Sequence, residues 1–249
     1  MNNKKEICKV LLWPLLYTLG MGLSNYIVYH HYHVEYGGDG YVNAMLPFLV
    51  VLAAGTLICL FIQRKRLSLP WKDGGRLPLF LIIFLPLVAM TIYYLFTNGS
   101  FTYGFIAPLA VTLLVGVAEE TMFRRILYIR LLGLFKERGF KKTLLISAVC
   151  FSLLHAVNLL AGLPGPQVLM QLAVTFVAGL FYVLMFDYTR NIYLLIIMHF
   201  LWDYVLFSGA TKQIPVYAVL MGVLQAAEIA IMLVLLVKKW RQDAAAERR

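Results

Sequence analysis

Long apolar runs occupy most of this chain and constrain its fold more than any other feature. A run of about 20 apolar residues is long enough to cross the hydrocarbon core of a bilayer. Such runs lie near residues 8–29, 41–63, 78–97, 104–124 or beyond, 143–161, 167–187, 191–209 and 215–237. With 61% hydrophobic and only 14% charged residues, the chain is too apolar to form the surface of a soluble domain. The sequence therefore predicts an all-α integral membrane bundle of about eight transmembrane helices, folded as a single membrane domain over residues 1–249.

Lys and Arg residues fall almost entirely on one side of these predicted spans. If the N-terminus is cytoplasmic, 21 of the 22 Lys and Arg residues lie in cytoplasmic segments, and Lys212 lies outside. Because basic residues accumulate in cytoplasmic loops, this asymmetry predicts that both termini are cytoplasmic. It also explains the net charge of +10 without nucleic-acid binding. We therefore predict a multi-pass protein of the cell membrane that contacts the lipid bilayer and has no nucleic-acid partner.

The loops and cysteines give no sign of a second domain or a metal-binding module. The segments SLPWKDGGRLP and AGLPGPQ are predicted to be short connectors. The three cysteines are widely spaced and form no CxxC pair, so neither a disulfide framework nor a zinc ribbon is indicated. The segment HHYHVE could chelate a metal on the outer side through His30, His31 and His33 with Glu35, but no second ligand cluster accompanies it. We interpret it as a solvated loop.

Few ionisable residues lie deep within the predicted spans, where the bilayer penalises a polar side chain unless it is paired or faces a cavity. They are Glu119, Glu120 and Arg124 in the fourth helix, His155 in the fifth, His199 and Asp203 in the seventh, and Glu228 in the eighth. Glu228 has no obvious partners, so we interpret it as a structural residue that faces the interior of the bundle. The others are candidates for a functional site.

The spacing of the charged residues in the fourth helix predicts different roles for them. Glu120 and Arg124 are four residues apart, so they share a helix face and can form an ion pair that lowers the cost of burying either one. Glu119 is rotated by about 100° from Glu120. It is therefore expected to meet a different neighbour and to remain unpaired. We assign Arg125 and Arg130 to the inner membrane boundary.

The other two helices show the same four-residue spacing. Phe151 precedes His155 by one turn, and His199 precedes Asp203 by one turn. If the fourth helix continues to about Phe135, its first glutamate, His155 and Asp203 lie roughly 24, 18 and 18 Å from the inner ends of their helices. These depths are similar enough for one shared site.

The polar residues of these three helices suit hydrolysis by an activated water. A carboxylate in a partly apolar cavity can take a proton from water near neutral pH, which makes Glu119 the candidate base. His155 could orient the water, and the pair of His199 and Asp203 could stabilise the oxyanion. The chain contains neither HExxH nor GxSG, and YGGDG is not a GxGD motif on a helix. A catalytic zinc held by two histidines and one glutamate is the alternative mechanism.

Three motifs, in order on successive hydrophobic helices, resemble those of a known protease family. They are Glu119-Glu120-x-x-x-Arg124, Phe151-x-x-x-His155 and His199-x-x-x-Asp203. Over about residues 104–207 the chain resembles the CPBP family, the CAAX proteases and bacteriocin-processing enzymes that are also called the Abi family. The resemblance implies an all-helical glutamic intramembrane endopeptidase without a cofactor, with this segment as its catalytic core.

The resemblance also implies roles for individual residues. Glu119 would activate water with the help of His155. His199 and Asp203 would line the oxyanion site. The implied supporting residues are Glu120, Arg124 and Phe151.

The last motif position bears on the substrate. Family members that cleave prenylated proteins look to carry Asn where this chain has Asp203, whereas the bacterial branch accepts Asp. The resemblance thus favours a bacterial plasma-membrane enzyme that processes membrane-associated peptides or proteins, or that confers immunity to a bacteriocin. A zinc-dependent CAAX-type prenyl-protein peptidase and a non-catalytic membrane immunity or scaffold protein are the alternatives. Proton-coupled transport would predict broken helices and internal repeats, which the sequence lacks.

Overall fold

The computed structural model describes residues 3–67, 75–100, 102–135 and 139–247. These residues form helices and short connections, and no strand occurs among them. The prediction of an all-α bundle is therefore confirmed. Residues 68–74, which make up most of the predicted connector SLPWKDGGRLP, lie outside the described residues.

The helices follow the apolar runs closely. In chain order they are α1 (Asn3–Tyr32), α2 (Tyr41–Gln63), α3 (Pro78–Asn98), α4 (Tyr103–Glu119), α5 (Ile129–Phe135), α6 (Phe140–Leu154), α7 (Gly165–Thr189), α8 (Ile192–Phe207), α9 (Ala210–Gln213) and α10 (Val216–Glu247). A π-helix, Glu120–Tyr128, joins α4 to α5 without a break, and 3₁₀ turns follow α2 and α6 at Arg64–Arg66 and His155–Ala161.

Within the described part of the chain, seven helices are long and apolar enough to cross a membrane. The sequence predicts eight spans, and the difference is α8, which has only 16 residues. About 20 residues are needed to cross the hydrocarbon core. The side of the membrane on which each terminus lies stays a prediction.

The helix that runs from Tyr103 to Phe135 is the central one. Its apolar window is 56% buried inside the protein, against 28% to 44% for the other candidate spans. It does continue well past Arg124, as the depth argument requires. Near its C-terminal end, Arg130 donates a hydrogen bond to Gln63 at 3.1 Å and lies 3.7 Å from Glu6 near the start of α1.

Two glycines bring the neighbouring helices close to each other around this centre. A Cβ atom at Gly116 of α4 would lie 2.8 Å from the carbonyl oxygen of Ile196 in α8. A Cβ atom at Gly179 of α7 would lie 3.0 Å from the Cα atom of Ala148 in α6. Small residues let membrane helices approach until their backbones touch. The close contact at Gly116 lies one turn from His199 and therefore positions that imidazole against α4.

Candidate active site

The glutamates lie where the central helix changes its geometry. It is α-helical up to Glu119 and π-helical over Glu120–Tyr128. The sequence predicts a regular α-helix here, and that prediction is wrong. A π-helix has i→i+5 hydrogen bonds, is rare, and is often found at functional sites. Most side chains of this segment are buried, so packing against several helices outweighs the local preference for α geometry.

Both glutamates contact the same imidazole. His199 Nδ1 lies 2.7 Å from Glu120 Oε1, and its Nε2 lies 3.9 Å from Glu119 Oε2. The expectation that the two carboxylates meet different neighbours is therefore wrong. The two ring nitrogens lie on different edges of the imidazole, so one side chain on α8 reaches two carboxylates that diverge from α4.

Glu120 is the centre of a buried network. Its Oε1 accepts hydrogen bonds from Arg124 Nη1 at 3.0 Å and from His199 Nδ1. The Glu120 and Arg124 side chains are both 0% exposed, so neither charge is screened by water. The guanidinium carbon of Arg124 lies 3.9 Å from the ring centroid of Phe151 and 4.9 Å from that of Tyr182. These aromatic faces stabilise the part of the cation that Glu120 does not pair.

The other nitrogen of His199 faces two further carboxylates. Since a carboxylate accepts, the contact with Glu120 places a proton on Nδ1. Nε2 lies 3.5 Å from Asp203 Oδ2 and 3.9 Å from Glu119 Oε2. Both distances exceed the 2.7 to 3.2 Å of ordinary N–H···O hydrogen bonds. A polar atom placed beside these pairs, rather than between them, could therefore hydrogen-bond to Nε2 and to a carboxylate at the same time.

His155 lies where α6 gives way to the 3₁₀ turn. Its Nδ1 donates to the carbonyl oxygen of Phe151 at 3.1 Å, because a carbonyl can only accept. In the neutral imidazole this leaves Nε2 as an acceptor. The His155 ring also packs edge-on against the ring of Phe151, with centroids 5.3 Å apart. Both contacts fix the orientation of His155.

These side chains meet at one cavity of about 660 Å³ inside the bundle. Its wall is mostly apolar and includes the proposed catalytic residues Glu119, His155, His199 and Asp203. Phe151 also lines it, whereas Glu120 and Arg124 lie behind the wall and hold His199 from the rear. The structure thus brings together all the residues that the three sequence motifs contain.

Part of the chain resembles a known protein family. Residues 101–205 match the sequence model of the family described as Rce1-like, Type II CAAX prenyl endopeptidase Rce1-like. The match confirms the resemblance to the CPBP family. It supports a multi-pass membrane protein with intramembrane endopeptidase activity. Comparisons with curated proteins and with solved structures found no match. Residues 101–205 are called the family segment below.

A chain of neutral polar side chains forms another wall of the cavity, and sequence reasoning missed it. Tyr41 Oη donates to Asn25 Oδ1 at 2.7 Å, and Asn25 Nδ2 donates to Asn158 Oδ1 at 3.0 Å. Asn158 Nδ2 donates to Gln171 Oε1, and Gln171 Nε2 donates to Tyr36 Oη. Burial raises the pKa of Tyr36, so its phenol keeps the proton. A search for amides within apolar helices, in addition to charges, would have found Asn25, Asn158 and Gln171.

Glu228 belongs to the same cavity, although the sequence assigns it a packing role. It lies on α10, is 3% exposed and faces the cavity. The prediction that it faces the bundle interior therefore agrees with the structure. Its position on α10 is outside the family segment, so the match says nothing about its role.

The donor sets considered for a metal do not fit one. A catalytic zinc needs three protein ligands that converge on one point. Among the residues that the structure describes, no group of three His, Cys, Asp or Glu side chains is placed to hold a metal ion. His30, His31 and His33 are exposed at the end of α1 and in the loop that follows. No step of the reaction proposed below passes through zinc.

Proposed function

We propose that this protein hydrolyses peptide bonds of membrane-associated peptides or proteins with a water molecule that Glu119 activates. The observation that carries the proposal is the 3.9 Å separation between Glu119 Oε2 and His199 Nε2 at the cavity wall. Such a separation is too long for a direct hydrogen bond and suits a bridging water. The water would lie beside both a proton acceptor and an imidazole, at the place where a peptide carbonyl can enter.

In the proposed reaction, Glu119 takes one proton from this water as the oxygen attacks the carbonyl carbon. The Nε2 lone pair of His155 accepts a hydrogen bond from the water and orients it. In this proposal His199 carries a proton on each ring nitrogen, so that Nδ1–H bonds Glu120 while Nε2–H stabilises the oxyanion, with Asp203 beside it. When the carbon–nitrogen bond breaks, the proton on Glu119 passes to the leaving amine. Both products then leave the cavity with Glu119 ionised again.

Glu120 and Arg124 act through His199. Glu120 fixes the ring orientation by accepting from Nδ1, in the way that a carboxylate behind a catalytic histidine does in other hydrolases. Arg124 balances the negative charge of Glu120 in a place without water. We therefore assign both to positioning.

The test is cleavage of membrane peptides by the purified protein in lipid nanodiscs. A strain that lacks the gene, complemented with wild type or with Glu119→Gln, supplies candidate substrates through mass spectrometry of its membrane and secreted peptides. We expect the substitution to lower cleavage by about 10²- to 10⁴-fold, the usual contribution of a general base. Glu6→Gln, which removes a carboxylate outside the cavity, is the matched control. Cleavage retained by Glu119→Gln would rule out the role of Glu119.

A CAAX-type prenyl-protein peptidase is the second candidate, because the description of the matched family favours it. Synthetic peptides of one sequence, with and without a prenyl group on cysteine, separate the two. Bacterial peptide processing predicts that both forms are cleaved. Cleavage of the prenylated form alone would establish the second candidate. Resistance of the complemented strain to a bacteriocin tests the self-immunity role, and protection by Glu119→Gln equal to that by wild type would support a non-catalytic protein.

A further inference from the structure

The wall of the cavity that α10 forms carries a buried carboxylate with one oxygen free. Glu228 Oε2 accepts a hydrogen bond from Gln225 Nε2 at 3.0 Å, and Gln225 lines the cavity as well. Glu228 Oε1 has no hydrogen-bond partner among the described residues, although it is shielded from solvent. A buried acceptor without a donor is costly. Ten buried side-chain atoms have no partner among the described residues, and Glu228 Oε1 is the one that belongs to a residue lining the cavity. A ligand that donates to Oε1 would remove that cost.

The charges around the cavity indicate which kind of donor fits. Its acidic lining residues are Glu119, Asp203 and Glu228, and its basic ones are the two histidines. No Lys or Arg is present among the described lining residues. His199 and Arg124 do act on Glu228 electrostatically, but their hydrogen bonds go to Glu120. The cavity therefore favours a cationic group over an anionic one.

The shape of the wall suits a long cationic side chain. Met221 and Gly222 line the cavity on the same helix as Glu228, so apolar surface lies near the carboxylate. Lysine and arginine pack their aliphatic stems along apolar surface and keep the charged end at a polar group. Carboxylates bind such ends by charge-assisted hydrogen bonds, which are the stronger class.

We propose that Glu228, held by Gln225, is a specificity subsite that binds a lysine or arginine side chain of the peptide substrate. The subsite rests on the proposed function, because its ligand is the peptide that is cleaved. In this proposal, peptide-bond hydrolysis and the choice of substrate depend on different parts of the chain. The family segment supplies the reacting groups, and α10, outside that segment, selects the peptide.

The experiment compares synthetic apolar transmembrane peptides that differ at one central position, which is lysine, norleucine or glutamate. Binding to protein in nanodiscs is measured by fluorescence anisotropy, with Glu119→Gln as the background so that no peptide is consumed. Cleavage of the same peptides is measured with Glu119 intact. Glu228→Gln keeps the shape of the side chain and removes its charge. The control is Asp187→Asn, whose carboxylate pairs with Lys239 Nζ at 3.3 Å and does not line the cavity.

We expect the lysine peptide to bind at least about tenfold more tightly than the norleucine peptide, as for one charged hydrogen bond. The preference should disappear in Glu228→Gln and persist in Asp187→Asn. Equal binding of lysine and norleucine peptides to the protein with Glu228 intact, or binding of neither, overturns the subsite. This arm needs no substitution at Glu228, so it stands even if Glu228→Gln fails to fold.

The two proposals fail in different ways. Binding that prefers lysine and depends on Glu228, without cleavage of any peptide, supports the subsite and contradicts the protease. Cleavage without a charge preference supports the protease and contradicts the subsite.

Discussion

Two buried glutamates near one cavity differ in their charged partners. Behind the wall formed by the π-helix and α8, Glu120 Oε1 accepts hydrogen bonds from both Arg124 and His199, while its Oε2 has no partner among the described residues. On the wall formed by α10, Glu228 keeps one oxygen without a partner among the described residues. A paired network is rigid before any substrate arrives, which suits groups that must hold a reacting geometry. In the proposed subsite, Glu228 Oε1 instead receives its donor from the substrate that binds.

We expect the largest loss of stability and activity from removing the ion pair between Glu120 and Arg124. Arg124→Gln leaves the buried Glu120 carboxylate with His199 but without its arginine partner, and breaking a buried ion pair costs about 3–5 kcal/mol. We expect the unfolding free energy in detergent to fall by that amount and cleavage activity to fall with it. Arg125→Gln, a substitution of the adjacent and only partly buried arginine, is the control and should cost about 1 kcal/mol or less. Equal losses in both variants would show that the network has no special role.

A smaller effect is expected where α4 and α8 touch. Gly116→Ala places a Cβ atom 2.8 Å from the carbonyl oxygen of Ile196, so α8 must move. Overpacking of this kind costs about 1–3 kcal/mol. Because the shift moves His199, we also expect kcat to fall more than KM changes. Gly104→Ala on the same helix meets nothing within 4 Å and should be neutral or slightly stabilising. A normal kcat in Gly116→Ala would mean that close packing here does not position the imidazole.

On the α10 wall we expect a substitution to raise the unfolding free energy instead of lowering it. Glu228→Gln replaces a buried carboxyl group whose Oε1 has no hydrogen-bond partner among the described residues. We therefore expect it to raise the unfolding free energy by about 1 kcal/mol while it weakens selection of the substrate, which is the usual trade between stability and function. Thermal unfolding in detergent, measured beside Asp187→Asn, checks the sign. A loss of stability as large as that of Arg124→Gln would remove the distinction between the two walls.

We expect metal removal to have the smallest effect on the cleavage rate. If a water activated by Glu119 is the nucleophile, incubation with EDTA should change the cleavage rate by less than about twofold, well under the 10²-fold or more that a catalytic group supplies. Activity lost with the chelator and restored by zinc would replace this mechanism with the zinc alternative. A zinc-dependent protease assayed in the same nanodiscs controls for the action of the chelator.

Several features were open to prediction because each depends on the chain locally. Apolar runs locate the helices, since crossing the bilayer requires a fixed length of hydrophobic sequence. The spacing of Glu120 and Arg124 predicts their pairing, and the structure contains it even though the backbone between them is π-helical rather than α-helical. The family resemblance rests on short motifs with the same local character, and it is confirmed over residues 101–205.

Other features depend on which helices pack together, and the sequence alone did not provide them. The rotation between Glu119 and Glu120 suggests separate partners, yet His199 from a distant helix reaches both. Glu228 has no motif around it, and only the position of α10 places it at the cavity. By itself the sequence determined the helices, their polar faces and the family resemblance of residues 101–205. Tertiary structure decided which polar groups are paired and which are left free, because buried hydrogen bonds between helices depend on contacts that no local periodicity encodes.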